Sequence, residues 1–202
     1  MTRGTVIVIA AVIAAAIVGV GARLFLSGPP ETVQGSSGVA LVGGPFELVD
    51  QDGRTVRLED FAGKALLIDF IFTRCPGPCP IQTAAHVSLQ RSLGPEVAAR
   101  THLVSITLDP DHDHPEQMKA YALAHGADLS NWSFLSGTRE TVRSVAQAYH
   151  VAPSGASMNR AGPLDHVMAR YLIDPQGRIA RRYVGPDISY DQLVRDLVEI
   201  LG

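Results

Sequence analysis

Apolar and polar positions divide the 202-residue chain into three unequal stretches. From Thr5 to Ala22 no side chain is charged and nearly all are apolar, and Leu24, Phe25 and Leu26 extend the run past Arg23. About 20 apolar residues suffice to cross a bilayer, and an arginine at the end of such a run can snorkel to the interface. A cleaved signal peptide has a shorter apolar region, about 7–15 residues, and a small-residue cleavage site. We therefore read residues 1–26 as an uncleaved membrane anchor. Residues 27–44, rich in Gly, Ser and Pro and without a periodic pattern, read as a flexible tether. The folded domain is expected over residues 45–202, with its soluble part outside the cytoplasm.

Within that domain the pattern switches repeatedly between strand and helix periods. Residues 46–49 and 55–58 flank Asp52-Gly53, a hairpin signal. Residues 64–72 are almost continuously apolar, as expected of a strand covered on both sheet faces. A helix is predicted over 81–93, a second buried strand over 102–108, and a helix from Pro115 to His125 that Gly126 stops. Asp113 and Glu116 have the spacing of a capping box at its start. A short strand follows at 132–135, then a helix capped by Thr138 and running to Tyr149. A hairpin over 167–184 turns at Asp174-Pro175-Gln176-Gly177. A last helix is capped by Ser189 and ends near Leu201. Alternating strands and helices build parallel crossovers, and the closing hairpin adds antiparallel strands. The expected fold is α/β: a mixed sheet flanked by helices, with a hairpin at the domain's N-terminal end.

Composition narrows the function. The formal net charge is −3 and no Lys/Arg cluster occurs, which argues against a nucleic-acid surface. The chain has only two cysteines, too few for a disulfide scaffold and too closely spaced to be a long-range staple. They lie in Arg74-Cys75-Pro76-Gly77-Pro78-Cys79-Pro80, between the apolar strand and the following helix. Residues four apart share a helix face, so the sulfurs can converge. A helix N-terminus favours anions, and on that ground a lowered thiol pKa is expected here. The prolines stiffen the loop. Thiolates are soft ligands suited to Cu(I), zinc or iron–sulfur clusters, and two sulfurs leave a metal under-coordinated. A dithiol can equally form or exchange a disulfide.

Seven histidines are candidates for a third ligand. His86 and His102 fall within a helix and a strand and read as structural; His125 and His150 sit at helix ends, where a cation is favourable. His112 and His114 lie in Asp109-Pro110-Asp111-His112-Asp113-His114. That stretch has the donors for a divalent ion, but reads more readily as a solvated loop with capping roles. His166, in Pro163-Leu164-Asp165-His166, precedes an apolar strand, a position that does not by itself place it beside the cysteines.

The chain resembles the Sco/SenC family, thioredoxin-fold copper-binding proteins that assist assembly of cytochrome c oxidase. The segment from Phe72 to Pro80, Phe-Thr-Arg-Cys-Pro-Gly-Pro-Cys-Pro, is similar to the family's cysteine motif. Ser105-Ile106-Thr107-Leu108-Asp109-Pro110, with Asp113 and Pro115-Glu116, is similar to its second signature. Asp165-His166, followed by Tyr171-Leu172-Ile173-Asp174-Pro175-Gln176-Gly177, is similar to its third. The resemblance implies a thioredoxin-like domain that binds Cu(I), and also Cu(II), through Cys75, Cys79 and His166. It implies delivery of copper towards the copper A centre of cytochrome c oxidase subunit II, or to another copper-accepting protein, from an inner-membrane anchor with the domain on the periplasmic side. Asp165 would orient His166, and Asp109 and Asp113 would shape the loop near the site. The chain departs from the family pattern at Arg74, usually His; at His114, often Thr; and at Val167, usually a small hydroxyl residue. None of these removes a ligand. The alternative is a thiol–disulfide oxidoreductase in which Cys75 attacks and Cys79 resolves, although such enzymes normally use a two-residue spacing. A peroxidase using the same pair ranks below both.

Overall fold

The computed structural model describes residues 33–34, 43–151, 169–185 and 188–202. The expected anchor (1–26), most of the expected tether, and His166 with Asp165 and Val167 lie outside the described residues. Among the described residues no helix is long and apolar enough to cross a membrane.

The centre of the domain is β4 (Ala65–Ile71), seven residues that are all buried. It pairs in parallel with β5 (Thr101–Thr107), which pairs in parallel with β6 (Trp132–Leu135). On its other side β4 meets β7 (Ala169–Ile173) antiparallel, and β8 (Ile179–Val184) continues the sheet antiparallel to β7. The mixed sheet read from the sequence is thus the one that forms. A two-residue strand within the expected tether, β1 (Val33–Gln34), pairs antiparallel with β8 at Arg181 and Arg182. The sheet order is β1-β8-β7-β4-β5-β6.

Both faces are covered. Leu67, Ile71, Leu103, Trp132, Phe134 and Leu172 face one core, packed by α1 (Pro78–Ser92), α3 (Pro115–Ala124) and α5 (Tyr190–Leu201). Leu66, Ile68, Phe70, Val104 and Ile106 face the other, packed by α4 (Arg139–Ala148) and the hairpin of β2 (Glu47–Val49) and β3 (Thr55–Arg57). A short helix, α2 (Pro95–Ala99), leads into β5. Each large apolar side chain of β4 stabilises the fold by about 1.5–3 kcal/mol through burial.

Local signals set the element ends. Thr138 accepts the Thr141 N–H at the start of α4, and Ser189 accepts the Gln192 N–H at the start of α5. Gly126 follows α3 at φ +77°, a left-handed conformation that glycine adopts without steric cost. Asp174 closes the β7–β8 turn by accepting the N–H groups of Gln176 and Arg178. The β2–β3 hairpin covers the free edge of β6: Val49 and Ser136 exchange backbone hydrogen bonds, and the Gln51 side chain accepts the Phe134 N–H. An exposed strand edge invites pairing with other chains, and this hairpin occupies it.

Two expectations are corrected. The first helix begins at Pro78, earlier than the apolar pattern suggested, because Pro at the first helical position loses no intrahelical bond. The capping box at Asp113 does not form. His114 is the N-cap of α3 and makes no side-chain cap bond, while the Asp113 carboxylate turns inward.

Candidate metal centre

Cys75 follows the end of β4, and Cys79 lies in the first turn of α1. Ligand sites in open α/β sheets lie at the carboxyl ends of the strands. Both thiols are free and buried, and the Cys79 N–H donates to the Cys75 sulfur over 3.4 Å. The Cys75 sulfur thus lies at the N-terminal end of α1, held there by the turn that precedes the helix rather than by helical spacing. The expected lowering of thiol pKa fails for Cys79. Burial pushes its pKa well above the ordinary thiol value, and the neighbouring Cys75 pushes it further. Desolvation of a thiolate outweighs the helix terminus at this depth.

The loop before Cys75 is tied to the end of β5. The Thr73 N–H donates to Asp113 over 3.0 Å, and the Thr73 hydroxyl also donates to that carboxylate. Thr107, the last residue of β5, adds a third donor at 2.6 Å. Arg74 reaches Asp109 at 2.5 Å, and that carboxylate raises the Arg74 pKa.

Beneath α1 lies a polar row that crosses the sheet. Tyr183, Arg170, Asp69 and Ser105 are register partners on β8, β7, β4 and β5, and all four are buried. Asp69 accepts from Gln82 at 2.5 Å and from Ser105 at 2.6 Å, and the Trp132 indole N–H donates to Ser105. Gln82 is three residues beyond Cys79, so Asp69 fixes α1 to the sheet close to the second thiol. The signal for Asp69 was in the sequence: one acidic residue inside an otherwise apolar strand.

The histidines separate clearly. His86 is buried against Trp132, and burial lowers its pKa to about 4 although Asp69 opposes the shift. A neutral imidazole follows, so its 3.5 Å approach to Asp69 is not an ion pair. His102 is the second residue of β5, at the end of the strand away from the cysteines. It stacks on Phe61, and burial again lowers its pKa to about 4. His125 packs on Tyr121 at the end of α3, and His150 follows α4 with φ +52°. Among the described residues one group of three could hold an ion: Asp109, His112 and Asp113. One Asp109 oxygen is engaged by Arg74, and both Asp113 oxygens are engaged by Thr73, Thr107 and His112. No described histidine or carboxylate completes such a group with the two sulfurs. The third candidate ligand, His166, lies outside the described residues.

The architecture is that of a thioredoxin-like domain carrying a buried cysteine pair at the carboxyl end of its central strand. The SCO1/SenC family profile matches residues 34–202, and the chain belongs to that family. It is 32% identical over 157 residues to the SCO1 protein homolog of Bacillus subtilis, covering 76% of this chain and 79% of that protein. It is 33% identical over 147 residues to the human mitochondrial SCO1 homolog, covering 69% of this chain but only 46% of the human one. Among solved structures it is similar to BsSco, described as a Sco-family cytochrome c oxidase assembly protein with a disulfide switch. The TM-score there is 0.67 at 29% identity, over 82% of this chain and 96% of that one. It is also similar to yeast Sco1 with copper bound, with a TM-score of 0.66 at 27% identity, over 80% and 93% of the two chains.

Proposed function

We propose that this protein is a membrane-anchored copper metallochaperone. It carries copper on Cys75, Cys79 and His166 and hands it towards the copper A centre of cytochrome c oxidase subunit II. Residues 1–26 are its anchor in the inner membrane, 27–44 its tether, and 45–202 its copper-binding domain on the periplasmic side. The observation that carries this reading is the convergence of two buried, unbridged cysteines at the carboxyl end of β4 in a chain of the SCO1/SenC family. Two thiolates suit Cu(I), and an added imidazole also accommodates Cu(II). Copper is the cargo in this account.

The placement of β7 supports His166 as the third ligand. β7 runs antiparallel to β4, so its first residue, Ala169, lies towards the end of β4 that leads to Cys75. Three residues of chain span at most about 11 Å. The chain length from Ala169 is compatible with a ligand role for His166 at that end of the sheet, whereas His102 is built into the opposite end.

Copper titration of the full chain tests the reading. One equivalent is expected to bind, and binding should be severely weakened in Cys75→Ser, Cys79→Ser and His166→Ala. If His166→Ala bound copper as the unmodified chain does, with unchanged spectra, the three-ligand assignment would be wrong.

Thiol–disulfide exchange is the second reading, favoured by the 3.4 Å contact that places the Cys75 sulfur against the backbone of Cys79. In it Cys75 attacks a disulfide of the copper acceptor and Cys79 resolves the mixed disulfide. Exchange with that acceptor no faster than with glutathione would eliminate it.

A further inference from the structure

We infer that Asp113 and Thr73 form a positioning pair that sets the Cys75 sulfur before copper arrives. Asp113 is fully buried, and its only ionisable neighbour within pairing distance among the described residues is His112, at 2.9 Å. A buried carboxylate is costly unless hydrogen bonds replace its water. Here the Thr73 N–H, the Thr73 hydroxyl and the Thr107 hydroxyl converge on its two oxygens, and the His112 ring approaches one of them. An ionised carboxylate offers about four acceptor sites and no donor, whereas a carboxamide turns two donors into the same space. The Asp113 side chain accepts the Thr73 N–H and the Thr107 hydroxyl on one oxygen and the Thr73 hydroxyl on the other.

The bond joins residues 40 apart in sequence and closes the end of β4 onto the loop after β5. Thr73 is separated from Cys75 by Arg74 alone. The turn that follows is short: the Cys75 N–H donates to the Phe72 carbonyl, and the Cys79 N–H to the Cys75 sulfur. Fixing Thr73 thus fixes the start of the turn that carries both sulfurs. Thr107 serves both sides of the latch, because its hydroxyl also accepts the Asp109 N–H. On this account the Asp113 corner of the Asp109–His112–Asp113 cluster is a latch, its two oxygens engaged by Thr73, Thr107 and His112.

The inference rests on the copper reading for one readout and is independent of it for another. Thr73→Val removes the hydroxyl and keeps the branched shape, Thr73→Ser keeps the hydroxyl, and Asp113→Asn replaces an acceptor by a donor. In copper titrations of the full chain, Thr73→Val and Asp113→Asn should bind roughly 10–100-fold more weakly, the usual cost of losing a residue that orients a ligand. Thr73→Ser should stay within about twofold of the unmodified chain, since the bonding group is conserved. The second readout is the Cys75–Cys79 dithiol–disulfide equilibrium in glutathione buffer. The latch sets the turn that carries both sulfurs, so Thr73→Val should shift that equilibrium about tenfold, a change of about 30 mV.

Unchanged copper affinity and unchanged thiol equilibrium in folded Thr73→Val would overturn the inference. So would a Thr73→Ser as impaired as Thr73→Val. If the unmodified chain bound no copper, the proposed function would fall, while a shifted thiol equilibrium in Thr73→Val would still support the latch. Should Asp113→Asn fail to fold, the Thr73 pair decides.

Discussion

Mild acid should weaken this domain through two buried histidines. The pKa values of His86 and His102 are lowered from 6.5 to about 4, chiefly by burial. In the unfolded chain both bind a proton as the pH falls through 6.5; in the native state they do not until about 4. The unfolded state therefore binds more protons across that window, and stability rises with pH from 4 to 6.5. Linkage gives about 2 kcal/mol lost per histidine at pH 5 and about 3 kcal/mol at pH 4. Against a usual domain stability of about 5–15 kcal/mol, two such losses are large. Urea melts with reductant, from pH 7 to pH 5, would measure this. Carboxylates also titrate towards the lower end, so the informative comparison is with His86→Gln and His102→Gln. Each should start less stable at pH 7 and then lose about 2 kcal/mol less on going to pH 5. If the double variant lost as much stability over that interval as the unmodified chain, the histidines would not be the buried neutral groups described.

Three further outcomes are expected. Asp69→Asn should cost roughly 1–3 kcal/mol in urea melts, since it disturbs the buried carboxylate that accepts from Gln82 and Ser105; an unchanged midpoint would show that this polar row contributes nothing to stability. Cu(I) affinity, measured against a competing chelator, should rise between pH 6 and 8 by about tenfold per unit for each proton released, because the Cys79 thiol must deprotonate to ligate. An affinity independent of pH would mean that no thiol proton is displaced. Thr138→Ala should remove about 1 kcal/mol through loss of the α4 cap, and a thermal midpoint equal to that of the unmodified chain would contradict it.

Much of the fold was legible because its signals are local. The apolar run around β4, the strand–helix alternation, the caps at Thr138 and Ser189, and the turn at Asp174 each follow from residues a few positions apart. The cysteine pair was legible for the same reason, since two thiols four positions apart across a strand-to-helix turn stay close, although Cys75 lies in the turn and only Cys79 in the helix. The two-residue β1 was not, because it exists only through its pairing with β8.

Chain order alone supplies the available groups: two close thiols, one acidic residue inside the central strand, and a histidine just ahead of β7. Tertiary structure decided what those groups do. Asp113 had the spacing of a helix cap, yet the adjacent ends of β4 and β5 bring Thr73 and Thr107 against it, and three donors outcompete one cap. Cys79 sits at a helix N-terminus, which alone favours the thiolate, yet the core around it removes the water that a thiolate needs. Spacing along the chain fixes local geometry, but burial and long-range hydrogen bonding depend on which strands become neighbours, and only the folded sheet sets that.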